Sequence, residues 1–252
     1  MIYQTLRFEK AGHTRVLHLG DSAAPDAIST ARMAAELTEA CDEVNGDDEA
    51  RVVVVAGCFD VPLAEPAAET DLPRATPWWN LAEVLASVDK PLIAAISGDA
   101  VGQGLELSLA CDIRMCAEHC RFGLPHITAG LIPWDGGTQR LPRTVGKANA
   151  LRMVLTGALI DAQEALRIGL VSQVVAADRL IAVVTDLAQE MASRAPIVLR
   201  YVKEAVNQGM DLTLQQGLRL EADLYFLLHG TRDRSAGIRA FQEKKGVRFE
   251  GR

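Results

Sequence analysis

Lys90-Pro-Leu-Ile-Ala-Ala-Ile-Ser-Gly-Asp-Ala-Val-Gly-Gln-Gly-Leu-Glu106 is the most informative stretch of the chain. An unbroken apolar run, Pro91–Ile96, reads as a strand buried on both faces. It passes through the turn Ser97-Gly98-Asp99 into a glycine-spaced segment, and a helix opens at once near Gly102. A helix start of this kind presents backbone N–H groups to whatever lies in front of it. A dinucleotide fingerprint needs glycine three residues past Gly104, where Leu107 stands, and no Gly-Lys-Ser/Thr follows to make a phosphate loop. What remains is an N–H pocket suited to a small developing anion, such as an enolate oxygen. Glu106 lies in the first turn of that helix. On spacing it is equally a dipole-facing or capping carboxylate and a catalytic one.

Working outward, strand-like runs at Ile2–Phe8 and Arg15–Leu19 open the chain. Ile28, Met33, Leu37, Cys41 and Val44 then recur at helical spacing until Asn45-Gly46. Arg51–Val55 is a β-branched strand. Residues 57–77 are rich in Pro, Ala and acidic residues and have no period, the mark of a functional loop or lid. A helix is expected from Trp78 to Val88 and a strand at Asp112–Cys116. Asp161-Ala-Gln-Glu164 has the pattern of a capping box, and Leu170–Val175 reads as a further strand. Beyond it the chain reads as helical, with breaks near Pro196, Gly209 and Gly230. The fold class is therefore α/β with a substantial parallel component, a core over 1–195 and a helical region over 196–252.

The 252 residues are 49% hydrophobic and 23% charged, too apolar for a disordered chain. A net charge of −7 lacks the field that draws nucleic acid or anionic membrane, so neither is an expected partner. The first residues show no secretory pattern, and no apolar stretch approaches the ~20 residues that cross a bilayer. Cytoplasmic location is the expectation. The cysteines Cys41, Cys58, Cys111, Cys116 and Cys120 have no framework spacing and read as reduced thiols. Cys111, Cys116, His119 and Cys120 lie close together but lack a CxxC pair or a second half-site, so no metal is expected and buried strand thiols are the simpler reading.

Three blocks, KPLIAAISGDAVGQGLELSLACDI (90–113), RFGLPHITAGLIPWDGGTQRLPRTVGKANA (121–150) and LTGALIDAQEALRIGLVSQVV (155–175), resemble the crotonase superfamily of enoyl-CoA hydratases and isomerases. TRDRSAGIRAFQEKKGVRF (231–249) is similar to the family's closing helix. The resemblance implies a crotonase-like spiral of ββα units with a C-terminal helical region that makes a trimer or a dimer of trimers. It also implies an acyl-CoA thioester as substrate, with coenzyme A part of that substrate and no separate cofactor. The thioester oxygen would be held by two backbone N–H groups. One is placed at Gln103, beside Gly102, where the family has glycine, and the Gln103 side chain is expected to crowd the thioester. The other falls at Cys58 or Phe59, in Ala56-Gly-Cys-Phe-Asp60.

Glu106 matches the first of the hydratases' two glutamates, and His126 stands in place of the second. An imidazole shuttles protons near neutrality, so a Glu106–His126 pair is able to add water across a double bond. Asp135, in Pro133-Trp-Asp-Gly-Gly137, is a candidate acid/base near the place where several relatives carry a carboxylate; as an alternative it caps a helix starting near Gly136. Trp134 either limits the acyl pocket or packs the core. The implied function is addition or removal of water at the α,β position of an enoyl-CoA. The alternatives are decarboxylation or hydrolysis of an anionic acyl-CoA, or acyl-CoA binding without turnover.

Overall fold

A computed structural model describes residues 3–19, 30–57, 59 and 81–252. β1 (Leu6–Ala11) and β2 (Thr14–Leu19) form an antiparallel hairpin. α1 (Thr30–Asn45) precedes β3 (Val52–Gly57), which pairs parallel with β2. α2 (Leu81–Ala86) precedes β4 (Leu92–Ile96), parallel to β3. The chain continues through β5 (Ala100–Val101), α3 (Gln103–Ala110), β6 (Ile113–Ala117) and β7 (Arg121–Gly123), then a 3-10 turn at Pro125–Ala129. α4 (Gly137–Val145), α5 (Lys147–Thr156), β8 (Ile160–Asp161), α6 (Ala162–Arg167) and β9 (Gln173–Val175) complete the mixed part. α7 (Leu180–Ala192), α8 (Pro196–Gly209), α9 (Leu214–Leu227) and α10 (Arg232–Glu243) follow.

The large sheet has the order β1-β2-β3-β4-β6-β9, and a small one the order β5-β7-β8. Successive strand pairs divide between them: β4 and β6 enter the large sheet, β5 and β7 the small one, and a helix follows each pair. This is the ββα repeat that the sequence resemblance implies. Every residue of β4 is buried, as its unbroken apolar run requires, and α7 packs across it and its neighbours β3 and β6. The 3-stranded sheet brings β5, and with it the start of α3, beside β7.

Several boundaries move for local reasons. The first strand runs from Leu6 to Ala11, four residues later than read, and Ile2 lies outside the described residues. The strand expected at Leu170–Val175 shortens to Gln173–Val175, because the N–H groups of Leu170 and Val171 turn back to Ala165 O (2.8 and 3.3 Å). Only half of the capping box forms. Asp161 accepts from Glu164 N at 2.8 Å, while the Glu164 carboxylate is drawn to Arg152 and Arg167. The loop read at 57–77 and the tryptophans Trp78 and Trp79 fall almost wholly outside the described residues.

The C-terminal helices dock on their own core through polar ties. Lys203 Nζ pairs with Asp112 at 2.9 Å and donates to Lys90 O at 2.9 Å. Arg51 donates to Ala192 O and Phe249 O at 3.0 and 2.8 Å. Cys41, Cys111, Cys116 and Cys120 are buried free thiols. Among the described residues there is no metal-sized cluster of His, Cys, Asp or Glu, and no helix is long and apolar enough to cross a membrane.

Candidate active site

The start of α3 sets the geometry. Gly102 is its N-cap at φ 61, and the Gly102 N–H is already given to Gly123 O at 2.9 Å. The next donor, the Gln103 N–H, occupies the first helical position, where no carbonyl lies one turn back within the helix. Of the two residues, Gln103 is thus the one whose N–H suits an incoming oxygen. Gly104 follows because nothing larger fits: a Cβ there would lie 1.3 Å from Phe59 O. That contact presses the helix start against the chain leaving β3 and buries Phe59 completely. Cys58, the other candidate for the second donor, lies outside the described residues.

Glu106 is fully buried one turn into α3. Its Oε1 accepts from the N–H groups of Asp135 (2.8 Å) and Gly137 (2.7 Å). Gly137 has to be glycine for this, since a Cβ would stand 2.8 Å from that oxygen. Glu106 Oε2 has no hydrogen-bond partner and lies 3.8 Å from His126 Nε2. His126 sits in the 3-10 turn after β7, fully buried, with neither ring nitrogen hydrogen-bonded. Trp134 packs edge-on against the imidazole, with ring centroids 4.8 Å apart. At 3.8 Å the two side chains are too far apart for a direct bond, yet one oxygen off the line joining them reaches both at about 2.8 Å.

Burial controls the charge state. It pushes the Glu106 carboxyl up to about 7 against the pull of its two backbone donors, and Asp135 up to about 6 against its own hydrogen bonds. It lowers the His126 imidazole below its ordinary value. Near neutrality the pair therefore holds a neutral imidazole and a carboxyl that is protonated for much of the time.

Asp135 does not occupy either position expected for it. The N-cap of α4 is Gly136 at φ 98, with no side-chain cap. The Asp135 carboxylate instead caps α2, both oxygens accepting from Ala82 N at 3.1 Å, and it also accepts from Gln103 Nε2 at 3.0 Å. Its acceptor positions face these donors and not the Glu106–His126 gap. Gln103 differs from expectation for the same reason: its side chain is turned aside onto Asp135 and buried, not left in front of its own N–H. Arg140 closes the loop, donating to Asp135 O and Glu83 Oε2 at 3.1 Å each.

The structure thus gathers Gln103, Glu106, His126 and Asp135 into one buried cluster, with the half-buried Trp134 against its imidazole. Sequence reasoning missed Gly137 and Ala82, which contribute only backbone N–H groups. The adjacent Gly136-Gly137 was the available signal for the first, and Ala82 gave none.

The enoyl-CoA hydratase/isomerase family model matches residues 15–252. The chain is 47% identical to the 2,3-dehydroadipyl-CoA hydratase of Escherichia coli (strain K12) over 168 residues, 67% of this chain and 66% of that one. It is 38% identical to a probable enoyl-CoA hydratase of Rhizobium meliloti (strain 1021), with all of both chains covered. The crystal structure of the enoyl-CoA hydratase of Bacillus anthracis is similar throughout, with a TM-score of 0.85 at 32% identity, covering 99% of this chain and 100% of that one. From the N–H turn at Gln103 to the whole-chain match, these findings agree, and the chain belongs to the enoyl-CoA hydratase/isomerase family of enzymes.

Proposed function

We propose that this enzyme adds water reversibly to a 2-enoyl-CoA, with Glu106 and His126 as the proton carriers. The observation that carries the reading is the facing of two unpartnered, buried proton-carrying atoms, Glu106 Oε2 and His126 Nε2, across 3.8 Å. Oε1 already accepts two N–H groups, so the exchangeable proton of Glu106 belongs on Oε2. Neutral His126, in the Nδ1–H tautomer, takes a proton from water at Nε2 while the water oxygen bonds to the β-carbon. The electron pair of the double bond moves onto the thioester, whose oxygen gains negative charge against the Gln103 N–H. Glu106 then gives its proton to the α-carbon, and the proton held by His126 returns to Glu106 to reset the pair. Coenzyme A leaves with the product and no other cofactor enters.

Loss of the conjugated thioester absorbance of a short 2-enoyl-CoA tests the reading. Turnover is expected, and Glu106→Gln should lower it about a hundredfold or more while thioester binding stays near normal. Wild-type protein inert toward every enoyl-CoA offered, or turnover untouched by Glu106→Gln, rejects it. The second reading, an anionic acyl group destined for decarboxylation or hydrolysis, is favoured by His126 standing where a second carboxylate would otherwise face Glu106.

A further inference from the structure

Asp135 and Gln103 meet in the wall of the site, and proton transfer explains neither. Gln103 is 2% exposed and Asp135 4%, so their bond of 3.0 Å is made out of water. The carboxylate is oriented from outside the pair by the Ala82 N–H at the start of α2. Its own backbone N–H holds Glu106 Oε1, and its carbonyl receives Arg140. One residue therefore fixes α2, the first turn of α3 and the approach to α4 together.

We propose that Asp135 is a positioning residue, which draws the Gln103 side chain out of the thioester seat and so keeps the Gln103 N–H open to the thioester oxygen. This rests on the oxyanion role assigned to that N–H above. A glutamine at the first position of α3 has a side chain long enough to fold over its own N–H. Only a fixed acceptor to one side prevents this, and Asp135 is that acceptor. The polarity of the pair is specific. The carboxylate has only acceptor sites and faces only donors, from Ala82 and Gln103. An amide at 135 could still be met, because the Gln103 amide can turn over and present its Oε1, whereas alanine at 135 removes the acceptor altogether and a carboxylate at 103 would set two like charges together. Exchanging both restores complementarity with the roles reversed.

The test compares Gln103→Glu, Asp135→Ala, and the exchange of Gln103→Glu with Asp135→Asn in one double variant. Three readouts are taken: kcat on a short 2-enoyl-CoA, the thermal midpoint, and the near-ultraviolet band of the enolate formed by bound acetoacetyl-CoA. Each single change should lower the enolate band, and should lower kcat by roughly tenfold to a hundredfold with KM little moved, the usual cost of a misplaced group. The double variant should recover both to within a few-fold. Single variants that keep wild-type band and kcat overturn the proposal. So does a double variant that regains its thermal midpoint but stays as inactive as Asp135→Ala, since the carboxylate would then act directly. If the single changes fail to fold, Gln103→Met, of similar size, should show the same loss of enolate band, and an unchanged band overturns the claim. A wild type that forms the enolate but hydrates no 2-enoyl-CoA rejects the hydratase reading and leaves the positioning role standing. A wild type that forms no enolate rejects the positioning role itself.

Discussion

On the proposed mechanism Glu106 and His126 divide one proton between them, and burial sets where it rests. The carboxyl, pushed up to about 7, serves as acid only while protonated, so activity should fall as pH rises past that value. The imidazole, lowered by burial, serves as base only while neutral, so activity should fall again at a pH below the ordinary 6.5 of histidine. The charges of Asp135 and Arg140 act on the same carboxyl through space, the first raising and the second lowering it, and Asp135 itself titrates near 6 on the acid side. The expected kcat/KM profile is a bell centred in the mildly acidic range. His126→Ala should collapse turnover. His126→Glu should keep hydration of a neutral short enoyl-CoA, with the two carboxyls titrating as one pair. A loss confined to carboxyacyl-CoA substrates would show instead that His126 makes room for an anionic acyl group. In the sequence, the meeting of Glu106 and His126 was legible, the first from its place in a helix start and the second from its place after Pro125, while their catalytic roles are the proposal made above. The direction of the Gln103 side chain was not, because it depends on a carboxylate 32 residues away.

At the scale of elements, β4 and α3 were readable because their signals are local: an unbroken apolar run, then glycines where the chain passes close to Phe59. The capping of α2 was not, since its acceptor lies 53 residues downstream, and neither was the turn that unravels Leu170 and Val171 from the expected strand. The C-terminal helices show a different excess. Leu224 is the buried residue of α9, whereas Leu214, Leu218, Phe226 and Leu227 are exposed. Phe241 of α10 is 86% exposed, and an apolar cavity of about 820 Å³ opens among α8, α9, α10 and Phe249. We propose that so much exposed apolar surface in one region is an association surface between copies of this chain. The expected assembly is a trimer or a dimer of trimers. Light scattering at micromolar concentration checks it, and a monomer there would count against it.

For the whole molecule, the ββα units bring the buried Glu106–His126 pair and the N–H turn at Gln103 into one region, and the proposed chemistry follows from that placement. The alternatives differ in which bonds form, so the product itself decides among them. The most direct measurement is mass and position of label after turnover of a short 2-enoyl-CoA in water enriched in both oxygen-18 and deuterium. Hydration predicts one oxygen-18 on the β-carbon and one non-exchangeable deuterium on the α-carbon, with the CoA thioester intact. Oxygen-18 in a free carboxylic acid with release of coenzyme A, or an intact thioester whose β-carbon never acquires label, would contradict it.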